Sequence, residues 1–83
     1  MNRRKLLTRL TAGAMQNVAF DDLANLAVGF GFRLARTSGS HHVFLHPDIT
    51  EMLNLQEVGG EAKPYQIRQL LRLVERYNLR LEE

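Results

Sequence analysis

Gly39-Ser40-His41-His42-Val43-Phe44-Leu45-His46-Pro47 is the stretch on which the reading of this chain turns. Gly-Ser makes a tight turn and Pro47 a stop. Between them lies a run rich in aromatic and β-branched residues, the composition of a strand. Upstream, Phe32-Arg33-Leu34-Ala35-Arg36-Thr37 alternates apolar and polar residues, as a half-buried strand does. Downstream, Pro47-Asp48-Ile49-Thr50 is a second turn. It leads to a third strand over 51–56, with Leu53 and Leu55 on one face. Three strands with short links form an antiparallel meander.

Helices flank the meander. Residues 3–11 predict a short basic helix with Leu6, Leu7 and Leu10 on one face. Ala12-Gly13-Ala14 loosens it, and Asn17-Val18-Ala19 is a connector. A second helix is expected from Phe20, with Asp21 and Asp22 in its first turn, where acidic side chains suit the helix dipole. Gly29 and Gly31 stop it. Residues 58–62 read as a flexible loop. Pro64 then opens the last helix at a position where a missing N–H does no harm. Ile67, Leu70, Leu71, Val74 and Tyr77 recur along that helix at helical spacing, Asn78 is its stop, and 79–83 form a tail. The expected class is α+β, one sheet face carrying the core against the last two helices.

A chain of 83 residues is one domain with a modest core, which favours a partner or a second copy of itself. Without cysteine it has neither a disulfide framework nor a thiolate zinc site. Arg9 interrupts the apolar run after Leu6-Leu7, so the basic start is neither a secretory signal nor a membrane span, and a cytoplasmic location is expected. The net charge of +2 is too small to argue for nucleic acid by itself. The distribution says more. Arg68, Arg72, Arg76 and Arg80 recur every four residues, opposite the apolar face of the last helix. With Arg3, Arg4, Lys5, Arg33 and Arg36 they make a surface able to follow phosphates, or to meet an acidic protein. Tyr65 and Tyr77 lie within the helix, so no aromatic stacking platform is expected.

All three histidines fall within residues 41–46. Histidine gives and takes protons near neutral pH, which makes the cluster a candidate site. Alternation puts His42, Phe44 and His46 on one face and His41, Val43 and Leu45 on the other. Phe44 marks the core face, so His41 is the accessible histidine. Val43 and Leu45 are expected to be exposed beside it, a patch that a partner protein or a second copy would cover. His42 and His46 suit structural roles at the sheet margin, His46 fixing the turn at Pro47. A shared metal is not expected: along a strand His42 and His46 stand about 13 Å apart, whereas ligands of one zinc sit about 2 Å from it.

Gly39-Ser40-His41, Phe44, His46-Pro47, the helix end Gly29-Phe30-Gly31-Phe32, Arg36 on the first strand and the Pro-started helix together resemble the HicA toxins, from about Phe20 to Tyr77. The resemblance implies a fold like a double-stranded-RNA-binding domain. It implies metal-independent cleavage of mRNA, with no cofactor, and silencing by a HicB-like antitoxin. It maps the family's active histidine to His41. On that reading Arg36 or Lys63 stabilises charge at phosphorus, Ser40 holds the phosphate, and Arg68 and Arg72 bind RNA. Residues 1–19 are then a basic N-terminal extension, 20–77 the core and 78–83 a tail of a single domain. The stretch 54–60 and the extension depart from the family's pattern. Two other readings stay open, a non-catalytic RNA-binding module of the same fold and a protein-interaction domain.

Overall fold

In the computed structural model, which describes residues 2–82, the elements run α1 (Arg3–Thr11), β1 (Val18–Ala19), α2 (Phe20–Gly29), β2 (Arg33–Ser38), β3 (His41–Leu45), β4 (Leu53–Gln56), β5 (Glu61–Ala62) and α3 (Pro64–Tyr77). The meander is present as a three-stranded antiparallel sheet in the order β2-β3-β4. Gly39 sits at φ +60° in the first position of the two-residue link, where a tight hairpin turn favours glycine. That turn sets the pairs Ser38 with His41 and Thr37 with His42, and β4 continues the rows with Gln56 and Leu55.

The inner face closes the core. Phe44, Leu53 and Leu55 are buried against Phe20, Leu23, Leu26 and Ala27 of α2 and Ile67, Leu70 and Leu73 of α3. The outer face differs from expectation. Val43 is only 9% exposed, and Leu45 is half-buried. The register explains the cover. Arg36 and Asn54 stand beside Val43 on the same face, and Arg33 stands beside Leu45. Long side chains on adjacent strands lay their stems over a small apolar neighbour. The open apolar patch that alternation suggested is therefore absent.

The first strand also departs from the half-buried pattern. All six residues of β2 are exposed, Leu34 by 50%. The register shifts between Leu34 and Arg36, leaving Ala35 as an extra residue. A bulge at a sheet edge bends the strand and breaks the alternation. Only Phe32, just before the strand, enters the core. Of the expected loop over 58–62, Glu61 and Ala62 form β5 and pair with Ala19 and Val18 of β1. Two-residue strands carry no periodicity, so only the long-range pairing reveals them. The third strand of the meander starts at Leu53, and 51–52, expected within it, lie outside.

Helix α1 is built into the core. Leu6 and Leu10 are 1% and 0% exposed. Asn2 caps the helix, its Oδ1 accepting from the Lys5 N–H at 3.1 Å. The Arg3 guanidinium donates to Asn25 Oδ1 at 2.7 and 3.2 Å and to the Glu82 carbonyl at 2.9 Å. The Glu82 N–H donates to the Gly29 carbonyl at 2.7 Å, so one arginine ties both chain ends to α2. Asn78 ends α3 in the left-handed region, φ +51°, as the sequence implied.

Truncating Leu10 to alanine should therefore cost about 2–5 kcal/mol, the range for emptying a buried leucine site. Urea unfolding would check this, and a loss under about 1 kcal/mol would mean that α1 is a detachable appendage.

Candidate active site

The hairpin turn gives the three histidines three different settings. His46 is fully engaged. Its Nδ1 accepts from the Asp48 N–H at 3.1 Å, which leaves Nε2 to donate to the Phe30 carbonyl, also at 3.1 Å. Its ring meets Phe32 edge-on at 5.2 Å. Gly31, at φ +100°, leaves the room this requires: a Cβ there would stand 2.6 Å from the His46 Nε2. His46 thus locks the end of α2 to the turn at Pro47, the structural role its position suggested.

His42 is half-buried with its ring 4.6 Å from that of Phe20. Its Nδ1 lies 3.1 Å from the Ser40 carbonyl and donates to it, since a carbonyl only accepts. The Glu57 N–H donates to the same carbonyl at 2.9 Å. These two bonds hold the Gly39-Ser40 turn rigid and fasten it to the end of β4.

His41 is the exception. It is exposed on the outer face, and its ring has no hydrogen-bond partner among the described residues. It borders a shallow depression of about 160 Å³ together with Asn54, Gln56, Tyr65 and Gln66. Asn54 and Gln56 come from the adjacent outer face of β4, while Tyr65 and Gln66 come from the first turn of α3. The short ladder of β1 and β5 delivers the chain there. It ends at Ala62, one residue before the Lys63 N-cap of α3.

None of the other sequence candidates lines this depression, and Arg72 instead borders a separate one beside Glu51 and Met52. The Ser40 hydroxyl accepts from Gln56 Nε2 at 3.3 Å, which leaves its own proton free to donate. Arg36, paired with Val43, lies diagonally across from His41 on the same face, within reach of a long side chain. Lys63 is exposed two residues before Tyr65. Arg68 and Arg72 are exposed further along α3, within about 60° of Tyr65 around the helix axis. Arg76 shares that stripe but is held by Glu51, its Nη1 2.6 Å from the carboxylate.

Tyr65 and Gln66 are the residues that sequence reasoning missed. Tyr65 is 55% exposed and faces the histidine depression, so an aromatic platform does exist. Gln66 is 2% exposed, and its Oε1 has no hydrogen-bond partner. Only a glutamine at a core-facing position of the last helix hinted at it. Among the described residues no three His, Asp or Glu side chains gather to hold a metal ion, and no helix is long and apolar enough to cross a membrane.

A three-stranded antiparallel sheet with helices on one face gives an α+β domain whose fold is like that of a double-stranded-RNA-binding domain. The model of one family, described as the HicA toxin of bacterial toxin–antitoxin systems, matches residues 20–75. The chain belongs to the HicA toxin family, and is thereby a toxin whose family implies an antitoxin partner. No curated protein and no solved structure matches it. The matched span omits α1, although Leu6 and Leu10 complete the core.

The settings of the histidines have a measurable consequence. His41→Ala should leave stability within about 0.5 kcal/mol, as for other exposed positions. His46→Ala should cost about 1–3 kcal/mol, because it leaves the buried-side Phe30 carbonyl without its donor. Denaturant midpoints of the two variants would check the contrast, and equal losses would show that His41 is structural too.

Proposed function

We propose that this protein is a metal-independent RNA endonuclease, an mRNA-cleaving toxin of the cytoplasm, with His41 as its general acid and base and a HicB-like protein as its antitoxin. One observation carries the reading. His41 is the only one of the three histidines whose ring is uncommitted, and it stands at a depression lined by Asn54, Gln56, Tyr65 and Gln66.

RNA brings its own nucleophile, so little else is needed. A neutral His41 takes the proton of the 2′-OH, and the 2′ oxygen attacks the adjacent phosphorus. The bond to the 5′ oxygen breaks, and that oxygen takes a proton from the imidazolium. The products are a 2′,3′-cyclic phosphate and a free 5′-OH. Assistance of this kind contributes about 10²–10⁴-fold. Arg36, diagonal to His41 on the same sheet face, meets the charge that grows on the non-bridging oxygens. Lys63 adds a second cation, and the Ser40 hydroxyl a donor. The first turn of α3 borders the depression, so the positive end of its dipole also favours a phosphate there. Arg68 and Arg72 continue the basic strip along the strand and bind the RNA backbone. A single histidine must serve both proton transfers in turn, which makes turnover slow.

Purified protein should cleave RNA in the presence of EDTA and leave 2′,3′-cyclic phosphate ends. His41→Ala should reduce the rate by at least about 10²-fold. Undiminished cleavage by a folded His41→Ala protein would overturn the assignment. RNA binding without cleavage by the wild type would point to the non-catalytic module of the same fold.

The basic strip makes a separate demand. Changing Arg68 and Arg72 together to Gln should flatten the salt dependence of RNA affinity, by about 0.7 in log–log slope for each phosphate no longer neutralised. An unchanged slope would remove these two residues from the RNA path.

A further inference from the structure

We propose that the depression beside His41 is a nucleobase subsite, in which the ring of Tyr65 stacks on the base next to the scissile phosphate and the buried Oε1 of Gln66 accepts a hydrogen bond from an N–H on that base's edge. This deepens the ribonuclease reading and rests on it.

Three independent features support the subsite. Tyr65 is 55% exposed although it lies in the first turn of α3, directly behind Pro64, where the backbone is well fixed. An exposed ring on a rigid element is a low-entropy stacking surface, and single-stranded RNA is recognised chiefly through stacking on such rings. Gln66 is the one buried polar residue among those described, and its Oε1 is unpaired. Its Nε2 reaches only the Tyr65 hydroxyl, at 3.5 Å. An acceptor kept out of water without a donor is costly, and a base edge at the rim relieves it once the Gln66 side chain turns its amide oxygen toward the depression. Finally, both residues border the same depression as His41, together with Asn54 and Gln56 of β4. The base would thus be held in the same small cup that His41 borders.

The division of labour is specific. Stacking on Tyr65 tolerates any base, since every base has a π-face. Every base also carries an N–H on its pairing edge, so Gln66 adds affinity for an unpaired base over one already paired. The subsite therefore selects single-stranded RNA at the cut.

The test uses a mixed-sequence single-stranded 2′-fluoro oligoribonucleotide, which lacks the nucleophilic hydroxyl, with binding followed by fluorescence anisotropy. Tyr65→Ala should weaken binding about 5- to 150-fold, whereas Tyr65→Phe keeps the ring and should bind within about 2-fold of wild type. Gln66→Met should weaken binding about 2- to 10-fold while thermal stability holds or rises, because an unpaired buried amide is replaced by an apolar side chain of similar size. Wild-type affinity in both Tyr65→Ala and Gln66→Met, or a wild type that does not bind the probe, would overturn the subsite. A Gln66→Met protein that loses stability and keeps affinity would show that the amide serves packing alone, and would overturn its part. Tyr65 is exposed, so its alanine variant reads binding even if the Gln66 variant does not fold. A wild type that binds the probe but leaves the matching RNA intact would sink the ribonuclease reading, and the same variants would still decide the subsite.

Discussion

The two-residue turn at Gly39-Ser40 is the constraint on which the rest depends. Side chains on a strand alternate faces, so a slip of one residue in the register between β2 and β3 would turn every one of them over. Phe44 would leave the core, and His41 would enter it. The turn excludes that slip through Gly39 in its left-handed conformation and through the Ser40 carbonyl, which accepts from both His42 and Glu57. The second of these bonds reaches past the end of β4, so the same atom also fixes the third strand.

The register divides the histidines by duty. His42 and His46 face inward, beside Phe20 and Phe32, and spend ring nitrogens on backbone carbonyls. Buried-side polar groups need such partners, and histidine supplies them while still packing as a ring. His41 faces outward and has nothing to satisfy. The apolar members of its face, Val43 and Leu45, are flanked in register by Arg33, Arg36 and Asn54. The surface around His41 is accordingly polar and basic, which suits a charged ligand better than an apolar one.

Both chain ends serve this arrangement. The family match covers residues 20–75, yet α1 places Leu6 and Leu10 in the core, and Arg3 clasps the carbonyl of Glu82. A domain of this size has few apolar side chains to bury, so two fully buried leucines are a sizeable share of its stability. The segment is therefore a working part of this toxin's fold, although the family model does not include it.

The order of the three helices and the meander, the core face of Phe44, Leu53 and Leu55, and the accessible side of His41 were legible in the sequence, because each rests on local periodicity or on turn chemistry at Gly39, Pro47 and Pro64. So was the likeness to the HicA family, carried by the Gly-Ser-His stretch and its context. What escaped the sequence depended on neighbours distant along the chain. The burial of Val43 comes from Arg36 and Asn54 across two strand pairings, the exposure of Leu34 from a bulge at Ala35, and the existence of β5 from its pairing with β1. The depression at His41 is of the same kind. Helical spacing correctly places Tyr65 and Gln66 on a helix, but only the packing of that helix's first turn beside β4 sets a tyrosine ring and an unpaired buried amide next to the histidine. Local sequence determines which face a side chain takes within its own element, and tertiary packing alone decides what stands opposite it.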